Sequence, residues 1–338
     1  MMRFYKLPKT GAISDLTLDE KETPQPARGQ VLVRMRAASL NYRDLMVVTG
    51  RYGRGGVAEN RIPLSDGAGE VVEVGENVDR FAVGDRVAGI FMQNWLAGEV
   101  KDSHSDSALG GAIDGVLSEF VLFDQQGLVA LPAHMDFAQG ATLPCAAVTA
   151  WNALYHGRSP LKAGDSVLLL GTGGVSMFAL QLAKAAGAEV IQTSSSDDKL
   201  ARVRQLGADH VINYRDTPEW QDEVRHLTDG RGVDHVVEVG GAGTLARSLR
   251  ATRTGGQVNL IGVLTGGEIN PTILLGKSIS LRGIYVGSRE LFEQMNRSLS
   301  LHRIEPVIDT TFDFDNAPAA LEHLASQQHL GKIVIIID

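Results

Sequence analysis

The chain is poor in cysteine, in basic clusters and in long apolar runs, and each shortage closes off a class of function. One cysteine, Cys145, among 338 residues excludes an internal disulfide and a structural zinc site built from cysteines. No apolar run approaches the roughly 20 residues of a membrane span. The formal net charge is −8 with no basic patch, so neither nucleic acid nor an anionic membrane surface is an expected partner. The opening, Met1-Met-Arg-Phe-Tyr-Lys-Leu-Pro8, is too short and polar for a secretory leader. The expectation is a soluble cytoplasmic protein. Hydrophobic residues at 43% supply a core, and the length suits about two domains.

What is present centres on Val167-Leu-Leu-Leu-Gly-Thr-Gly-Gly-Val-Ser176. Four apolar residues in a row fit a parallel strand covered on both faces. Gly171, Thr172, Gly173, Gly174 and Val175 then form a turn. Val175, Phe178, Ala179, Leu182 and Ala183 recur at helical spacing. A helix starting at a glycine turn offers N–H groups and a positive dipole end, which suits a pyrophosphate. Ser176 stands where the dinucleotide fingerprint has its third glycine, and a slightly looser helix–strand contact is expected there.

The first third reads as short strands with glycine turns. Residues 30–39 alternate apolar and polar, as a half-buried strand does; residues 69–75, 78–88 and 117–123 follow, so a partly closed β-domain is expected. Residues 96–115 read as a small-residue loop. Residues 137–156 read as helical. Beyond them strands at 167–170, 189–193, 210–213, 235–239, 257–262 and 279–283 alternate with helices at 174–186, 197–206, 218–228, 243–251 and 288–301. That pattern predicts an α/β fold, a doubly wound parallel sheet of Rossmann type. The last run, Lys332-Ile-Val-Ile-Ile-Ile337, predicts a buried strand returning to the first domain.

The second strand of the α/β part speaks to the cofactor. An NAD-binding unit places an acid about 20 residues after the glycine turn. Here the strand ends in Ser194-Ser195-Ser196. Hydroxyls can donate to a phosphate where a carboxylate would repel it. Lys199 adds a point charge, and Tyr214 could donate its phenolic O–H. The pattern points to the 2′-phosphate of NADP(H). The same serines also suit the cap of a helix starting at Asp197.

Taken in order, Ser39-Leu-Asn-Tyr-Arg-Asp44, Asp66-Gly-Ala-Gly-Glu-Val-Val-Glu-Val-Gly75, Val83-Gly-Asp-Arg-Val87, Leu143-Pro-Cys-Ala-Ala-Val-Thr-Ala-Trp-Asn-Ala-Leu154, the glycine turn and Leu206-Gly-Ala-Asp-His-Val-Ile-Asn-Tyr214 make the whole chain resemble the medium-chain dehydrogenase/reductase superfamily. The resemblance implies a GroES-like β-domain, residues 1–134 and 304–338, interrupted by a Rossmann NADP(H)-binding domain, residues 135–303, with the active site in the cleft between them. It places Asn41, Ser65 and Cys145 at the three positions where the zinc alcohol dehydrogenases carry catalytic-metal ligands, and Asp66 at the glutamate beside the second. Asparagine and serine are poor zinc ligands, so no metal is expected. Arg43 replaces the zinc enzymes' proton-relaying hydroxyl, and residues 96–115 occupy the region of their structural-zinc lobe.

The chain looks like the zinc-free branch, similar to quinone oxidoreductases and enone reductases, through Asn41-Tyr-Arg-Asp44, Gly50-Arg-Tyr52 and Ser65-Asp-Gly-Ala-Gly69. That implies hydride transfer from NADPH to a quinone or α,β-unsaturated carbonyl. Asn41, Tyr42 and Tyr52, with Arg43 as a further candidate, would donate to the substrate oxygen in place of zinc. The resemblance also implies cofactor contacts at Thr149, at Gly262, Val263 and Leu264, at Tyr285 and Val286, and at Lys332, which could reach the pyrophosphate. It implies a homodimer paired through the 279–283 strand. Two other readings stand beside this one: an NADP(H)-dependent alcohol dehydrogenase or carbonyl reductase, and an NADPH-binding protein with a structural or sensing role.

Overall fold

The computed structural model describes residues 1–53 and 56–338. The chain divides into two compact units. The first is Met1–Val148 with Val286–Asp338, and the second is Thr149–Tyr285. These limits place residues 135–148 and 286–303 with the β-domain, whereas the sequence reading put them with the Rossmann part. The reason is packing. The helix Phe137–Ala141 lies on the strands of the first unit, and from the helix Arg289–His302 Asn296 donates Nδ2–H to the Ala130 carbonyl at 3.0 Å.

In chain order the first unit begins with β1 (Met2–Lys6), β2 (Thr17–Lys21), β3 (Gln30–Ser39), β4 (Asp66–Val74), β5 (Arg86–Gly89), β6 (Phe120–Asp124) and β7 (Leu128–Ala130). The alternation in β3 suggested one wet face, yet Arg34 alone of its residues is exposed. β3 is central: it pairs with β4 on one side and with β6 and the chain's last strand on the other, and the helix Phe137–Ala141 lies on it. The stretch 137–156 is three pieces rather than one helix. Pro144 lacks the N–H that a continuous helix needs, and a π-helical turn, Leu143–Ala147, separates Phe137–Ala141 from Val148–Tyr155.

The second unit holds β8 (Ser166–Leu170), β9 (Glu189–Ser194), β10 (His210–Asn213), β11 (Val233–Glu238), β12 (Thr252–Leu260) and β13 (Ser280–Gly283). All five pairings are parallel and the strand order is β10-β9-β8-β11-β12-β13, the Rossmann arrangement read from the sequence. Every residue of β8 is buried. Its four apolar side chains contribute on the order of 6–12 kcal/mol of burial against the entropy of ordering them. The order reverses direction at β8, so ligands of such sheets bind beyond the carboxyl ends near that strand.

The chain then returns to the first unit with β14 (Ile308–Asp313) and β15 (Lys332–Ile336). β15 lies inside the larger sheet, parallel to β14 and antiparallel to β3, in the order β14-β15-β3-β4-β5-β7. This insertion brings the start of β15 to the end of β3, where Asn41 follows.

Candidate active site

In the first unit, Asn41 is the N-cap of the helix Tyr42–Val48, with extended backbone at φ −128° and ψ 154°. Three residues on, Asp44 turns back and accepts the Asn41 N–H at 2.8 Å, half of a capping box. An N-cap side chain ordinarily accepts an N–H of its own first turn, but the Asn41 oxygen makes no such bond. It accepts from Lys332 Nζ at 2.6 Å. The same ammonium donates to the Leu40 carbonyl at 2.5 Å.

Lys332 is 3% exposed. Burial lowers its pKa, and Asp66, Cys145 and Asp44 oppose that shift. Asp66 opens β4 and is fully buried. Its two oxygens accept from Ser65 Oγ at 2.7 Å and from the Cys145 N–H at 2.9 Å. Burial pushes the Asp66 carboxyl up to about 6, with the Lys332 charge restraining the rise. Asp44 is equally buried and raised for the same reason, with Arg43 opposing. Both carboxylates therefore hold local structure through hydrogen bonds.

Arg43 donates to Asp44 at 3.2 Å and to the Leu109 carbonyl at 2.8 Å. Its guanidinium carbon lies 4.7 Å from the Tyr52 ring centre and 5.0 Å from that of Phe91, within cation–π range. Asn41, Arg43 and Tyr52 thus belong to one neighbourhood. Tyr42 does not: it is exposed, and no polar contact ties it to the cluster among the described residues. The 96–115 segment is folded. It contains the short helix Asp102–Ser105, Trp95 stacks on His104 at 5.6 Å, Ser107 donates to Asn94 at 2.6 Å, and Leu109 meets Arg43.

These side chains do not fit a zinc ion. Asn41 and Ser65 offer neutral oxygens already engaged with Lys332 and Asp66. Burial, with the Asp66 charge, pushes the Cys145 thiol up and away from the thiolate a metal needs. A buried ammonium also acts on the same carboxylates. Among the described residues no group of three or more His, Cys, Asp or Glu side chains is placed to hold a metal.

In the second unit, Gly171 has φ 67° and leads from β8 into the helix Gly174–Ala185, which Gly173 caps with extended backbone. A Cβ added at Gly171 or Gly173 would stand in open space, room that a pyrophosphate over Gly171, Thr172, Gly173, Gly174 and Val175 would use. Gln192 fixes the turn by donating to the Gly171 carbonyl at 2.9 Å. Ser176 corrects the sequence reading of a loose contact. It is buried and donates Oγ–H to the Leu170 carbonyl at 2.6 Å, so it ties helix to strand.

At the end of β9, Ser194 is buried and Ser195 partly so, while Ser196 caps the next helix, its oxygen 3.4 Å from the Lys199 N–H. The Tyr214 N–H donates to the Ser194 carbonyl at 3.0 Å, which brings its main chain to the serines, and its side chain is exposed. Thr149 is buried. Val263, Leu264 and Tyr285 are exposed apolar or aromatic side chains, and Gly262 sits where a Cβ would strike the Val239 carbonyl. Val286 has φ 52°, an outlier for a β-branched residue. Lys332 departs from its expected place: its amine is spent inside the first unit rather than offered to a pyrophosphate.

Sequence reasoning missed Glu238. It is fully buried and accepts from the Gly240 and Gly241 N–H groups at 2.8 and 3.1 Å, from Thr244 Oγ1 at 2.6 Å and from Ser248 Oγ, which fixes the turn after β11. An acid closing an apolar strand, followed by two hydroxyls four residues apart, was the available signal.

Comparison with known proteins agrees with this architecture. The sequence matches the alcohol dehydrogenase GroES-like domain over residues 27–133 and the zinc-binding dehydrogenase family over residues 174–300. It is 42% identical, over 100% of this chain and 99% of the relative, to the zinc-type alcohol dehydrogenase-like protein C1773.06c of Schizosaccharomyces pombe. It is 29% identical to the quinone oxidoreductase of Rattus norvegicus over 93% of this chain and 91% of that one. A crystal structure of a candidate alcohol dehydrogenase from Sinorhizobium meliloti 1021 superposes with a TM-score of 0.91 at 41% identity, covering 99% of this chain and 98% of that one. The chain belongs to the medium-chain dehydrogenase/reductase superfamily, among its zinc-type alcohol dehydrogenase-like members, and is an oxidoreductase of that kind.

Proposed function

From membership of that superfamily as the premise, we propose that this protein is a zinc-independent reductase that transfers hydride from NADPH to a quinone or an α,β-unsaturated carbonyl compound. The observation that carries the reading is the cluster around Asn41, where a lysine, two carboxylates and a protonated thiol occupy the region in which the zinc enzymes hold a metal.

The cofactor would be held at its pyrophosphate by the turn Gly171 to Val175, at its 2′-phosphate by Ser194, Ser195, Lys199 and Tyr214, and at its nicotinamide end by Thr149, Gly262 to Leu264, Tyr285 and Val286. Bound there, NADPH supplies the hydride. The protein binds, orients and excludes water. As the substrate carbon accepts hydride, charge moves to its oxygen, and Asn41 Nδ2–H and Tyr52 Oη–H are the donors assigned to that oxygen. Tyr52, beside the Arg43 cation, can pass its proton on. The exposed Tyr42 is assigned to the substrate's outer rim. The β13 edge of the parallel sheet is the surface proposed to pair two copies.

Steady-state oxidation of NADPH and NADH against quinones, enones, aldehydes and alcohols, with and without a chelator and with metal analysis, tests this. Turnover of quinones or enones that survives chelation, with NADPH strongly preferred, is expected. Stoichiometric zinc with chelator-sensitive alcohol oxidation would establish the alcohol dehydrogenase reading instead. Tight NADPH binding without oxidation by any acceptor would point to a sensing role.

A further inference from the structure

Lys332 lies at the first position of β15, and its stem is enclosed by the first unit's sheet. A lysine ammonium has three donors and no acceptor. The Asn41 atom facing it at 2.6 Å is therefore the carboxamide oxygen, which leaves the amide nitrogen on the other branch of the carboxamide. That nitrogen is buried; among the described residues it has no partner within ordinary hydrogen-bond geometry, and it lies beside the Asp66 carboxyl, whose charge it helps to stabilise. The ammonium is also anchored on the Leu40 carbonyl. It thus pins the main chain of one residue and the side chain of the next, at the junction between β3 and the helix Tyr42–Val48. Asp44 completes the clamp from the helix side by holding the Asn41 N–H. The Asn41 N–H and side-chain oxygen are thus tied down, and Nδ2 lies beside the Asp66 carboxyl.

We propose that Lys332 is a positioning residue: its ammonium is the fixed internal cation among Asn41, Asp66 and Cys145, and by holding the Asn41 carboxamide oxygen it fixes the orientation of the amide, so that Nδ2–H, which lies beside Asp66, is the side-chain donor presented to the substrate oxygen. The substrate part rests on the reductase reading above; the orientation of Asn41 does not. The device replaces a metal's charge with one carried on the chain, and moves direct contact with the substrate oxygen from the cation to a neutral amide.

The test uses the full chain with Lys332→Met, which keeps a long apolar stem and removes the donors, and Lys332→Gln, which keeps a neutral N–H2. With saturating NADPH and an enone or quinone, K332M lowers kcat by about 10–100-fold, the usual cost of losing a supporting contact behind a reacting group. NADPH affinity, read by fluorescence titration, stays at the wild-type value, and K332Q recovers part of kcat. The Asn41 side-chain N–H2 resonance, assigned by its loss in Asn41→Asp, shifts in K332M and moves back toward the wild-type position in K332Q. Wild-type kcat and an unmoved Asn41 resonance in K332M would overturn the proposal. So would weakened NADPH binding in both variants with an unmoved resonance, which would place Lys332 on the pyrophosphate. If the wild-type protein reduces no such acceptor, the reductase reading fails alone and the resonance still decides the role of Lys332. If K332M does not fold, K332Q carries both readouts: a lowered kcat with a shifted resonance supports the proposal, and wild-type values overturn it.

Discussion

Asn41 spends its side-chain oxygen on a lysine instead of on its own helix, so its chemistry rests on the amide nitrogen. Asn41→Ala is therefore expected to lower kcat on an activated carbonyl about 100-fold, the cost of one oxyanion donor, while NADPH affinity by titration is unchanged. Asp66 gives a second prediction, visible in the free protein. Its folded pKa, about 6, lies above the unfolded value near 4. Between those values the folded state holds a proton that the unfolded chain has released. On this account stability falls as pH rises from 4 to 6, by on the order of 2–3 kcal/mol. Urea unfolding across that window should show the slope, and Asp66→Asn should flatten it. At this scale the sequence was partly legible. The serines after β9 announced a place without an acid, whereas the Asn41 and Asp44 spacing was read only as part of a family motif, and the capped helix start it makes came with the structure. Lys332 could not be located, because the burial of a lysine beside a glycine depends on which strands flank it, and β15 enters a sheet whose other strands lie far away in the chain.

The helix after the glycine turn shows how one hydroxyl can replace one glycine. Ser176 fills the third-glycine position, and its bond to the Leu170 carbonyl satisfies a polar group at the strand's end. Ser176→Ala should cost about 1 kcal/mol, read as a drop of about 2–4 °C in the melting temperature of the second unit. A stability equal to or above wild type would show the hydroxyl to be idle. Elements such as β8 and its helix were readable because their periodicity is local and strong. The interruption at Pro144 and the deep burial of β3 were less so. The first depends on how a proline is absorbed by a π-turn, and the second on partners brought by β15 and by the helix Phe137–Ala141.

At the scale of the molecule, the parallel sheet with its strand order was legible from alternating patterns, whereas the unit limits were set by side-chain packing at the ends of the insertion. The two units should also respond to acid differently. In the second unit Asp234 is buried, which alone would raise its pKa. Hydrogen bonds from Arg231, Ser166 and Arg253 outweigh that and hold it well below the usual carboxylate range. A depressed pKa contributes stability that is complete above the unfolded value near 4 and is lost as pH falls toward the folded one. Calorimetry from pH 6 downward should show the second unit losing stability as the unfolded chain protonates His235, which burial holds below its usual range in the folded unit, and losing more below about pH 4 through Asp234, while the Asp66 contribution in the first unit improves between 6 and 4. Asp234→Asn should lower stability at neutral pH and remove that contribution to the acid loss.

The position of β15 has a consequence in time. Lys332 and Asn41 are 291 residues apart, and at roughly 5–20 residues per second of synthesis about 15–60 s separate their appearance from the ribosome. During that interval Asp44 and Asp66 have no lysine between them, and β3 has an open side where β15 will lie. The α/β unit, whose strands are contiguous in the chain, can close while the first sheet is still waiting. The unit that carries the candidate chemistry is therefore the last to be finished, and it is the one exposed longest to proteases and to mispairing with other nascent chains.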